Sequence, residues 1–212
     1  MRFVLPLLLL VAPAASTAKP APPPPAHNGP FLSPMGEPFR SAQLAMDNVG
    51  AWFAAADRDR DRALTLAELR DDAERFFVLL DGDRDGELEM VEIARYENEI
   101  APEVQVGLQM RATGIGDWGG GRRRRVQVYE RGVDGAGRFS FLKIPHPVMA
   151  ADADMNRGVS RAEFAQAAAE RFGLLDQDRD GRILRAELPP LPQPRVRRLR
   201  GESANPFTRP RS

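Results

Sequence analysis

The stretch from Asp81 to Glu92, DGDRDGELEMVE, constrains this chain more than any other, because carboxylates fall at positions 1, 3, 5 and 12 around a glycine at position 6. A hard cation such as calcium takes six to eight oxygens at about 2.3–2.6 Å, so a short loop that holds one must wind alternate side chains inward and then close the sphere. Asp81, Asp83 and Asp85 supply the inward oxygens. Glu87 offers its backbone carbonyl, Glu89 holds a water or binds directly, and Glu92, opening the next helix, has the reach for bidentate ligation. Gly86 permits the sharp turn between the two halves.

The spacing recurs three times. DRDRDRALTLAE puts Asp57, Asp59 and Asp61 at 1, 3 and 5, Ala63 at 7, Thr65 at 9 and Glu68 at 12. DADMNRGVSRAE puts Asp152, Asp154 and Asn156 at 1, 3 and 5, Gly158 at 7, Ser160 at 9 and Glu163 at 12. DQDRDGRILRAE carries Asp176, Asp178, Asp180, Gly181, Arg182 at 7 and Glu187. These are loops 1 to 4 in chain order, with DGDRDGELEMVE as loop 2. Loops 1 and 3 have Arg62 and Arg157 at position 6, where a side chain must take a backbone conformation that favours glycine at a cost of about 1 kcal/mol. Gly158 is expected to relax the turn beside Arg157. Loops 2 and 4 are therefore expected to bind most tightly, and loop 3, with neutral Asn156 among its ligands, most weakly. Leu184, at position 9 of loop 4, cannot orient a water.

Loops 1 and 2 start twenty-four residues apart, as do loops 3 and 4, so the helix leaving one loop is the helix entering the next. Leu66, Leu69, Phe76, Phe77 and Leu80 mark the inner face of the first such helix, and Phe164, Phe172, Leu174 and Leu175 that of the second. Position 8 is aliphatic throughout: Leu64, Leu88, Val159 and Ile183. Leu64 and Leu88 suit a short antiparallel β-bridge between loops 1 and 2. The fold expected is mainly α, with two paired helix-loop-helix lobes, 41–100 and 144–190, and short β-bridges between loops. The second lobe is truncated at both ends, since Pro145 and Pro147 leave little room for an entering helix and Pro189 and Pro190 stop the last one.

Outside the loops the chain has a different character. Residues 1–18 read as a secretory signal: Arg2, an apolar run from Phe3 to Val11, then Ser16, Thr17 and Ala18. That run is too short for a stable membrane span, so none is expected after cleavage. Residues 19–40 are a proline-rich linker whose later part, with Phe31, Leu32, Met35 and Phe39, lies along the folded body. Ser41 is placed to cap a helix reaching Ala56, with Leu44, Val49, Trp52 and Phe53 facing a core. Residues 101–143 form a connector rich in glycine and arginine, with weak strands at 103–111 and 126–129. The run Arg122 to Arg125 reads as a solvated loop that offsets acidic neighbours, rather than as a site for phosphate or nucleic acid. Residues 191–212 are a proline- and arginine-rich tail, mobile or bound to the surface.

The formal net charge is zero, yet 17 of the 30 acidic residues lie inside the four loops, so the balance is a cancellation of clustered charges. The chain has no cysteine and two histidines, His27 and His146, which excludes disulfides and thiolate metal sites and leaves little for zinc. No nucleophile and base stand out, and catalysis is not expected.

Loop for loop, these motifs resemble those of the EF-hand superfamily, and the whole resembles exported bacterial EF-hand proteins with a signal peptide and a proline-rich linker. The resemblance covers 57–100 and 144–188 well and the rest poorly. Dockerin-like modules also pair calcium loops about two dozen residues apart, but glutamate at position 12 and Phe53, Phe77 and Phe172 before three of the loops argue against them. The resemblance implies Ca2+ as the bound ion, in a periplasmic or secreted protein with a structural or low-affinity buffering role. Only Met90 and Met149 stand near a lobe interior, few for an adaptable sensor groove. The alternative is a calcium sensor or cell-surface adaptor acting on an exported protein or an anionic surface.

Overall fold

The computed structural model describes residues 30–40, 47–105 and 124–199. The segment expected to be a secretory signal, Ser41, Leu44, the strand expected beyond residue 105, Arg122 and the end of the tail lie outside the described residues. Within them the α-helices are α1 (Asn48–Ala56), α2 (Leu66–Leu80), α3 (Met90–Arg95) and α4 (Arg161–Leu175). The strands are short: β1 (Phe31–Leu32), β2 (Pro38–Phe39), β3 (Ala63–Thr65), β4 (Glu87–Leu88), β5 (Arg124–Val128), β6 (Val159–Ser160), β7 (Arg182–Leu184) and β8 (Arg195–Leu199).

Helices α2 and α4 start and stop on loop residues. Thr65 and Ser160 occupy the N-caps, and three residues on Glu68 and Glu163 reach back to them in capping boxes that satisfy donors otherwise orphaned at a helix start. At the far ends Asp81 and Asp176 leave helical geometry while their N–H groups still donate to Phe77 and Phe172. Helix α1 is capped by Asp47, whose carboxylate accepts from Gly50 N–H at 3.0 Å.

The loops pair differently from expectation. Leu64 of β3 stands opposite Ile183 of β7, and Leu88 of β4 opposite Val159 of β6. Loop 1 thus joins loop 4, and loop 2 joins loop 3. The reason is geometric. Loops 1 and 2 sit at opposite ends of one fifteen-residue helix, about 22 Å long at 1.5 Å per residue, so Leu64 cannot reach Leu88. The position 8 residues find partners across the chain instead, which sets α2 and α4 side by side and antiparallel.

Each paired end has its own core, and each core draws on both halves of the sequence. Beside loops 2 and 3, Phe76, Phe77, Leu80, Leu88 and Tyr96 meet Val148, Val159, Phe164 and Ala168; the Phe77 and Phe164 rings lie 5.6 Å apart. Beside loops 1 and 4, Trp52, Phe53, Leu64 and Leu69 meet Phe172, Leu175, Ile183 and Leu188. A fully buried Leu, Ile or Phe side chain stabilises by about 1.5–3 kcal/mol, so these two clusters dominate the folding energy.

The segment 30–40 is a small hairpin packed into both cores, with Phe31 and Leu32 buried. Arg171 of α4 ties it down. Its buried guanidinium donates to the carbonyls of Pro34 at 3.0 Å and Pro147 at 2.6 Å, and burial, only partly opposed by Tyr96 and Glu170, pushes its pKa down to about 10. Loop 3 is entered by a single 3-10 turn, Met149–Ala151, and loop 4 is followed by a turn rather than a helix before Pro189. Part of the tail differs from expectation: Arg195–Leu199 is a strand paired with Arg124–Val128.

Candidate metal centres

All four loops share one internal hydrogen-bond pattern, and it turns the carboxylates inward. The position 1 aspartate accepts from the position 6 N–H at 2.9–3.2 Å. Position 3 accepts from the position 5 N–H, as in Asp83 from Asp85 at 3.2 Å. Position 5 accepts from the position 7 N–H, as in Asp180 from Arg182 at 2.8 Å. Each side chain thereby holds the next turn of backbone around a common centre.

The result is four acidic groups whose oxygens lie within 4.8 Å of one another: Asp57, Asp59, Asp61; Asp81, Asp83, Asp85; Asp152, Asp154, Glu163; and Asp176, Asp178, Asp180. Two carboxylates at that separation repel by about 1 kcal/mol in water and by more where water is partly excluded. Each group could hold a metal ion, and a cation would relieve the repulsion. The donors are all oxygen, which suits a hard divalent ion.

Position 12 works differently in the structure as it stands. Glu68 spans its loop, one oxygen accepting from Arg58 N–H at 3.0 Å and the other from Thr65 N–H at 2.9 Å. Glu92 does the same between Gly82 at 2.5 Å and Glu89 at 3.1 Å, and Glu163 between Ala153 and Ser160. Glu187 accepts from Leu184 N–H at 2.8 Å. Burial works to raise the Glu68 carboxyl, but bonds from Thr65, Asp59 and Arg58 outweigh it and hold the pKa low. Bonds from the Ser160 hydroxyl and N–H do the same for Glu163 against a smaller burial effect. Glu163 alone of the four joins its aspartates in a single cluster; Glu68 and Glu92 span their loops without joining the aspartate groups, and Glu187 bonds only the Leu184 end of its loop.

Loops with glycine at position 6 differ from loops with arginine in one atom. In loops 1 and 3 the second oxygen of the position 1 aspartate also accepts from the position 5 N–H, Asp57 from Asp61 at 3.1 Å and Asp152 from Asn156 at 3.2 Å. In loops 2 and 4 that oxygen, Oδ1 of Asp81 and of Asp176, is buried and accepts no hydrogen bond. An unsatisfied buried carboxylate oxygen costs several kcal/mol unless something binds it.

The strain expected at Arg62 and Arg157 is present, with φ of 72° and 78°. Gly158 does not relieve it, since it keeps an ordinary negative φ. Its missing side chain serves a close approach instead: a Cβ there would stand 2.9 Å from Cδ of Glu87 and overlap that carboxylate. Position 4 is also left-handed in every loop, at Arg60, Arg84, Met155 and Arg179, with φ of 60–66°. No residue type at that position announces it.

Position 7 lies in the bridging strands, as Ala63, Glu87 and Arg182, or just before one, as Gly158. Two cross-loop arginine contacts have no sequence signal at all. Arg182 of loop 4 is ion-paired with Asp61 of loop 1, and Arg161 of loop 3 stands 3.8 Å from Asp81 of loop 2. A scan against models of known protein families finds no match, and a search of curated proteins finds none either.

Proposed function

We propose that the protein binds calcium through four loops of EF-hand type, as an exported, non-enzymatic protein whose sites mainly stabilise its fold or buffer the ion at low affinity. The observation that carries this is the pair of buried, unpartnered oxygens on Asp81 and Asp176, each inside a three-carboxylate group built only of oxygen donors. The twelve-residue spacing favours calcium over magnesium, which demands a smaller, near-octahedral shell and keeps its waters. Export rests on the N-terminal sequence. Calcium outside cells is plentiful, and extracellular modules of this kind bind at about 10⁻⁴–10⁻³ M.

Calorimetric titration with calcium and with magnesium tests the reading on the full chain and on the Asp81→Asn and Asp176→Asn variants. The expected result is calcium binding with the tightest phase reduced in each variant. Calcium heats no larger than those of magnesium, unchanged by either substitution, would refute it.

A second reading, in which calcium exposes a surface for an exported partner, is favoured by the apolar residues flanking loop 2. Val78 and Leu79 end α2, Met90 and Val91 begin α3, and all four are exposed. An apolar dye that brightens only with calcium would select this reading over the structural one.

A further inference from the structure

The crossed pairing of loops brings side chains of one loop into the electrostatic field of another, and the two cases that arise at position 7 carry opposite signs. In each bridge the position 7 residue of one loop stands opposite position 9 of its partner: Arg182 opposite Thr65, and Glu87 opposite Ser160. Arg182 then reaches Asp61, a position 5 carboxylate of loop 1, and forms an ion pair with it. Glu87 extends over Gly158 of loop 3, where the absence of a side chain admits its carboxylate.

We propose that these two position 7 side chains set the cation affinity of the partner loop: Arg182 weakens loop 1 and Glu87 strengthens loop 3. The proposal rests on the reading of the loops as calcium sites. Counted loop by loop, Asp57, Asp59, Asp61 and Glu68 give loop 1 four formal charges, and Asp152, Asp154 and Glu163 give loop 3 three. Arg182 subtracts one from the first set and Glu87 adds one to the second, which inverts the order that the separate loop sequences imply. A divalent ion entering loop 1 has to displace the guanidinium from Asp61 or bind beside it. The same ion entering loop 3 gains a carboxylate that its own loop lacks at Asn156. Position 7 contributes to its own loop through the backbone carbonyl, which any residue supplies, so its side chain is free to act on the neighbouring loop.

The test is a site-resolved calcium titration of the full chain by amide NMR, following the N–H of Arg62, Gly86, Arg157 and Gly181, one position 6 donor per loop. Arg182→Ala is expected to tighten loop 1 by about tenfold, the effect of removing one unit charge a few ångströms from a divalent ion in a largely aqueous setting. Arg182→Lys, which keeps the charge, should stay near wild type and controls for folding. Glu87→Gln is expected to weaken loop 3 by a comparable factor and to leave loops 1 and 4 as they are. Calcium binding with unchanged affinity in loops 1 and 3, or with changes confined to loops 4 and 2, overturns this inference while sparing the calcium reading. No calcium binding by the unaltered chain overturns both.

Discussion

A double-mutant cycle on Leu64 decides how the loops are coupled. Leu64 and Ile183 are both fully buried, and they face each other in the bridge between loops 1 and 4. Leu64→Ala removes most of a side chain from the core beside Trp52 and Phe172, at a cost of about 3 kcal/mol, and Ile183→Ala removes a similar amount. Because each loses part of its packing partner when the other is truncated, the double variant should lose about 1 kcal/mol less than the two losses together. Leu88 belongs to the other core, at the far end of α2. Leu64→Ala combined with Leu88→Ala should therefore be additive to within about 0.5 kcal/mol. The measurement is urea-induced unfolding followed by circular dichroism, at one fixed calcium concentration because bound ligand adds to stability. Coupling between Leu64 and Leu88, with additivity between Leu64 and Ile183, would refute the crossed arrangement and restore pairing within each half.

Two further outcomes follow from local structure. Arg62 is exposed and holds φ at 72°, so Arg62→Gly should stabilise the calcium-free protein by up to about 0.5 kcal/mol, the relief of the left-handed strain less the entropy of glycine; a fall in melting temperature would contradict it. His146 stacks edge-on against Tyr96, bonds Glu97 at 3.0 Å through Nε2, and accepts from Met149 N–H through Nδ1. Burial lowers its pKa and Glu97 only partly opposes this. The unfolded chain then binds the proton more readily, so the contribution of His146 is full above about pH 6.5 and is lost as pH falls through the lower folded value. Melting temperature against pH should show this loss as pH falls below about 6.5, and His146→Gln should flatten it.

The loops were legible because their chemistry is local. Asp at 1, 3 and 5 sets its own hydrogen bonds within six residues, and the position 12 glutamates set theirs within their own twelve-residue loops. The strain at Arg62 and Arg157 could be read for the same reason. The bridge partners could not be read from the position 8 residues, all four of which are aliphatic and interchangeable. What settled them was the length of α2, a quantity already implied by the twenty-four-residue spacing but not by any single residue. Gly158 misled because a glycine beside a strained residue and a glycine under a neighbour's carboxylate look alike in sequence. The strand Arg195–Leu199 was hidden by its arginines, which are poor evidence for either a strand or a tail.

The exchange of partners between the halves has a consequence for the order of events during synthesis. Leu64 and Leu88 emerge from the ribosome long before Ile183 and Val159; the core beside loops 2 and 3 is not complete until α4 has been made, and the core beside loops 1 and 4 not until the segment to Leu191 has followed. Contacts so distant along the chain close late and slowly. The first two loops therefore exist for a time as acidic, unbridged segments without a core behind them, and folding waits on the C-terminal half. A cation that gathers one loop early shortens that wait only if the chain has already brought its distant partner within reach.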